Sequence, residues 1–86
     1  MSHNRQALNT VMHTLEFNFH TITNAQAIDA LVFALSIDLL VHNRIECTQP
    51  CANQLEFTSD AHCTFAQLVL CSDSRYSVTR LSRIVE

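Results

Sequence analysis

The sequence predicts a small α+β domain, an antiparallel sheet of three to four strands packed on one long central helix. Two observations predict it. Thr23–Asn43, TNAQAIDALVFALSIDLLVHN, is the longest apolar run and contains neither Pro nor Gly. Around it lie short segments in which apolar and polar residues alternate, the signature of half-buried strands. The expected order is (α)βαβββα, and a mostly α chain with one hairpin is the alternative. Eighty-six residues make one domain over 1–86, with no room for a second core.

At the N-terminus, Leu8, Val11, Met12 and Leu15 recur at helical spacing, so Ser2–Leu15 suits a helix or an arm. From residue 15 the spacing changes: Leu15, Phe17 and Phe19 alternate with Glu16, Asn18 and His20. That pattern predicts a strand over about residues 14 to 21. One helix continuing to residue 20 is the rival reading.

The central run follows with Thr23 or Asn24 as its N-cap. Ile28, Leu31, Val32, Leu35 and Leu39 form one face, and Phe33, Ile37, Leu40 and Val41 fill much of the remaining circumference. Asn43 is placed to take the left-handed stop that Gly normally supplies. Arg44–Thr48 and Gln54–Thr58 alternate on either side of a turn at Pro50 and read as a hairpin. Ser59–His62 reads as a second turn. Cys63–Cys71, apolar on both parities, reads as a central strand, with a short helix capped by Ser59 or Asp60 as the alternative. Val78, Leu81, Ile84 and Val85 fall on one helical face and predict a terminal helix, although β-branched content leaves a last strand open.

Composition narrows the function classes. Gly, Lys and Trp are absent. Without Gly there is no phosphate loop and no dinucleotide fingerprint, because both need a backbone approach that only Gly permits. A formal charge of −3 does not favour nucleic acid as a partner. Charged residues make up 15% of the chain, low for a soluble domain, and such a surface suits self-association or a protein partner. The first residues lack the pattern of a secretory signal. The central run is short of the ~20 uninterrupted apolar residues of a membrane span and carries Asp29, Ser36 and Asp38. A cytoplasmic location with reduced thiols is the expectation.

Cys47, Cys51, Cys63 and Cys71, with His62, are the only set with metal-ligand chemistry. Cys47 and Cys51 have usable pair spacing, whereas Cys63 and Cys71 do not make a second local pair. Buried free thiols are favoured over zinc, over a Cys47–Cys51 disulfide and over a Cys63 nucleophile paired with His20 or His42. No cofactor is expected. Asp29 and Asp38 lie on opposite sides of the central helix and form no carboxylate pair. Asp38 needs an Arg partner if it is buried.

Arg75, Arg80 and Arg83 form the one local excess of positive charge, read either as a basic face or as solvated side chains pairing with Glu16, Glu46 or Glu56. The functional expectation is a non-enzymatic protein-interaction or regulatory module. It is expected to be a homodimer, with Phe33, Ile37, Asp38, Leu40 and Val41 at the interface. Size and charge alone suggest, by association, a phage or mobile-element accessory protein that inhibits a host machine. A zinc- or thiol-dependent module and a weak nucleic-acid binder are the alternatives.

Overall fold

The computed structural model describes residues 10–85, and the first part of the expected N-terminal helix, residues 2–9, lies outside them. The elements run β1 (Thr10–Phe19), α1 (Ala25–Asn43), β2 (Gln54–Phe57), α2 (Asp60–Leu70) and β3 (Tyr76–Val85). The strands form one antiparallel sheet in the order β2-β1-β3. The expected α+β class and the three-stranded antiparallel sheet are present. The order differs, as βαβαβ.

β1 is central and pairs on both sides, with His13 opposite Phe57 and Ser82, and Leu15 opposite Leu55 and Arg80. Residues opposite one another share a sheet face. The helix-covered face therefore carries His13, Leu15, Phe17 and Phe19 from β1, Leu55 and Phe57 from β2, and Tyr76, Val78 and Arg80 from β3. The strand starts at Thr10 rather than residue 14, because β3 offers ten consecutive partners and extends the pairing beyond the alternating stretch.

α1 forms where the sequence places it. Asn24 caps it, its side-chain oxygen accepting the Ala27 N–H at 3.0 Å. Val32 and Leu39 are fully enclosed, and Ile28 and Leu35 pack against the same core. The left-handed stop is at Arg44 (φ 59°), not Asn43. The Arg44 N–H donates to the Leu40 carbonyl and the Ile45 N–H to the Leu39 carbonyl, each at 3.1 Å, and Ile45 is buried at once. Burial of Ile45 sets the exit angle and moves the stop one residue on. A Cβ in the left-handed region costs energy that Gly avoids. Arg44→Gly is therefore expected to stabilise the fold by about 0.5–1 kcal/mol in urea unfolding, against no change if the turn is unstrained.

The expected hairpin of Arg44–Thr48 with Gln54–Thr58 is only half present. Residues 44–49 run back along α1, held by Gln49, whose side-chain amide donates to Asp29 Oδ1 at 2.8 Å and to the Ala52 carbonyl at 3.2 Å. One bridge, Thr48 to Glu56, is all the pairing this segment makes with β2. It covers the outer edge of β2.

Two expectations are corrected. Residues 63–71 are not a strand: 63–70 belong to α2, with Cys71 as its C-cap, and Ser59 caps its start, the hydroxyl accepting the His62 N–H at 3.2 Å. Its core face is Cys63, Ala66 and Leu70, and it crosses all three strands. An apolar run on both parities suits a helix with one buried face and one greasy outer face as well as it suits a central strand. The terminal segment is not a helix but the ten-residue β3, because β1 needs a partner on its second edge.

The core joins Leu15, Phe17, Leu55, Phe57, Tyr76, Val32, Leu39, Ile45, Cys63, Ala66 and Leu70. The radius of gyration is 14.3 Å and the extents are 51 × 25 × 17 Å. A compact chain of this length has a radius near 12 Å. The paired β1 and β3 run on past the four residues of β2 and lengthen the molecule.

Candidate interaction surface

The side of α1 turned away from the core is apolar and open. Phe33, Ile37, Leu40 and Val41 are 55%, 41%, 44% and 60% exposed. Their spacing of three, four and eight residues places them on one stripe. The stripe exists because α1 is greasy almost all round, while only its Ile28–Val32–Leu35–Leu39 side packs into the core. Alongside it runs a groove of about 480 Å³, walled by Phe33, Ile37 and Leu40 of α1, by Glu46–Thr48, and by Met12, Glu56 and Thr58 from the sheet side. Gln49, tied to Asp29, holds the second wall against the helix. Sequence reasoning found the stripe but not this wall, since the signal is one side-chain amide twenty residues from its partner.

Asp38 is exposed on α1 and needs no buried partner. Glu46 is exposed at the groove, and among the described residues neither Asp38 nor Glu46 is in an ion pair. Of the two only Glu46 lines the groove, on its Glu46–Thr48 wall, while Asp38 projects from another side of α1.

The cysteines do not converge. All four carry free thiols, and no cluster of three or more His, Cys, Asp or Glu suited to a metal ion occurs among the described residues. Cys63 is completely enclosed between α2 and the sheet, and burial pushes its thiol up. A thiol so placed is a poor nucleophile. His20, one suggested partner, bonds Ser77 Oγ at 2.8 Å instead. Cys51 is exposed in the turn before β2, and His62 and Cys71 are exposed at opposite ends of α2.

Cys47 lines the groove, and burial raises its thiol from 9.0 to about 11. Tyr76 is raised from 10.0 to about 12 by the same cause. Both groups keep their proton longer in the folded chain than in the unfolded one. Their contribution to stability is complete below about pH 9 and is lost as pH rises through 11 to 12. The urea midpoint is expected to fall progressively above pH 9, and Tyr76→Phe, lacking the ionisable hydroxyl, is expected to lessen that fall. A midpoint flat to pH 11.5 would contradict it.

The arginines do not form one basic face either. Arg75 clamps Asp73 at 2.6 Å and holds its carboxyl down at about 2. Arg80 lies on the inner sheet face and reaches Asp60 of α2, the Thr64 hydroxyl at 2.7 Å and His13 Nδ1 at 3.0 Å. Because arginine only donates, His13 Nδ1 is an acceptor here. Arg83 points from the opposite face to Glu56 at 2.6 Å. Residues three apart on a strand face opposite ways, so Arg80 and Arg83 are separated by the sheet itself.

No protein-family model matches the chain, and neither the search of curated proteins nor that of solved structures finds a match.

Proposed function

We propose that this chain is a non-enzymatic protein-interaction module of regulatory type, working in the cytoplasm, and that the outward stripe of α1 with its groove is the working surface. The observation that carries the reading is a row of four large apolar side chains left open beside a shaped groove. Scattered exposed apolar residues are ordinary on a folded protein, whereas a continuous row rimmed by polar groups marks a binding surface. The occupant that fits is an apolar segment of another protein flanked by basic residues, most simply an amphipathic helix laid in the groove. Glu46 on the groove wall supplies charge of the complementary sign. Four free thiols suit a reducing compartment.

Against the sequence expectation that the run is too short, α1 is long and apolar enough to cross a membrane by length and composition alone. Two features favour a protein partner over lipid. Val32 and Leu39 are locked into the core, and two aspartates stand on the exposed surface of the helix.

The test is capture from an extract of the source cell with the tagged full chain, beside a Phe33→Asp/Ile37→Asp variant and a Leu68→Asp control on α2. The reading expects a discrete protein held by the wild type and the control and lost with the α1 variant. Equal capture by all three, or sedimentation of the chain with phosphatidylcholine–phosphatidylglycerol vesicles in place of any protein, overturns it.

A further inference from the structure

The sheet has two edges, and they are treated differently. The outer edge of β2 is covered by the Thr48 segment. β3 is the other edge, and Ser77, Thr79, Leu81, Ser82, Arg83 and Ile84 are exposed along it. The His20 N–H donates to the Arg75 carbonyl at 3.0 Å, which makes that facing pair a hydrogen-bonded one. Such pairs alternate in an antiparallel ladder, so the odd-numbered residues of β3 turn their backbone groups to β1. Val78, Arg80, Ser82 and Ile84 then turn N–H and C=O outward.

Natural edge strands are blunted by Pro, bulges, short length or free charged side chains, Lys above all and inward-pointing charges included. β3 has neither Pro nor Lys, runs ten residues, and pairs with β1 in unbroken register. Its two arginines are tied off by Asp60 and Glu56 of the same chain.

We infer that the open edge of β3 is where a second copy of this chain docks, by antiparallel β3–β3 pairing that continues the sheet across a two-fold axis at Leu81. The strand is self-complementary in that register. Leu81 meets its own copy on the outer face. Val78 faces Ile84 of the second copy, Arg80 faces Ser82, and Arg83 faces Thr79. The hydrogen-bonding phase also fits, since the outward-turned residues meet one another and the Leu81 pair is the close, non-bonded kind. Neighbouring registers fail on charge or polarity. Centring on Arg80 opposes two arginines, centring on Thr79 opposes Arg75 to Arg83, and centring on Ser82 sets Arg80 against Ile84 and Arg83 against Leu81. The homodimer, expected from the sequence at Phe33, Ile37, Asp38, Leu40 and Val41 of α1, is placed by this inference at β3 instead, on the sheet edge opposite the one that β2 and Thr48 close, and both α1 stripes stay free. The inference does not depend on what α1 binds.

The experiment is sedimentation velocity of the full chain from 1 to 100 μM, with Leu81→Lys and Ser82→Pro. Both changes are tolerable in the single chain, because Leu81 is exposed and the Ser82 N–H makes no bond to β1. The wild type is expected to be a dimer, and each variant to weaken it roughly tenfold or more while far-UV dichroism is unchanged. Register is read separately on a Cys51→Ser/Cys71→Ser background. Leu81→Cys is expected to cross-link under diamide, since facing non-bonded residues lie within disulfide reach. Thr79→Cys, about 13 Å from its own copy in this register, is expected not to. A wild type that stays monomeric, a dimer indifferent to both edge changes, or one dissociated by Phe33→Asp/Ile37→Asp instead overturns the assignment.

Discussion

Phe17→Ala is expected to destabilise the chain by about 3–5 kcal/mol, the range for removing an enclosed aromatic ring. Phe17 sits on the central strand and is 2% exposed. Its ring meets Tyr76 edge-on at 5.1 Å and Phe19 at 6.3 Å, so one truncation loses area burial and two aromatic contacts together. The backbone has little freedom to close the void. The Phe17 N–H donates to the Asn53 carbonyl at 2.8 Å, and the Phe17 carbonyl accepts from the Asn53 side-chain amide at 3.2 Å. Small domains are stable by only about 5–15 kcal/mol in total, so this change consumes a large share of the margin. Urea unfolding followed by dichroism measures it, with Phe17→Leu expected to keep most of the loss back. A loss below about 1 kcal/mol for Phe17→Ala would mean that the three-ring cluster does not hold the sheet to the helices.

The second large effect lies on α1 and has the opposite profile. Phe33→Asp/Ile37→Asp is expected to weaken partner binding by at least roughly thirtyfold, the effect of losing about 2 kcal/mol at an apolar anchor. Stability is expected to move by no more than about 1 kcal/mol, because both side chains already face water. The contrast within one helix is the informative part. Val32→Asp, one residue from Phe33 and fully enclosed, buries an unpaired charge and is expected to unfold the chain. If the Phe33/Ile37 variant unfolds as readily as Val32→Asp, the stripe is core and not surface.

Legibility in the sequence followed local chemistry. The Asn24 cap and the Ile28–Val32–Leu35–Leu39 row placed α1 to within a residue or two, and the Leu55–Phe57 alternation placed β2. β3 was obscured by one residue. Arg80 occupies an inward position because Asp60, Thr64 and His13 receive its guanidinium, and a charge there breaks the alternation that Tyr76 and Val78 begin. What remained, Val78, Leu81 and Ile84, mimics helical spacing. α2 had its signal in Ser59 and in Cys63, Ala66 and Leu70, which recur at three and four residues. The reading of 63–71 as a strand weighed apolarity above the cap. The α1 stripe was visible as surplus circumference, whereas the groove wall depends on the Gln49–Asp29 contact, which no local pattern announces.

The central claim is that the outward stripe of α1 is a protein-binding surface. Photo-cross-linking from benzoylphenylalanine placed at Ile37, in the source cell, tests it most directly. The account predicts one discrete protein adduct from Ile37 and none from the same probe at Leu68. Adducts of equal yield from both positions, or cross-linking only to lipid, would contradict it.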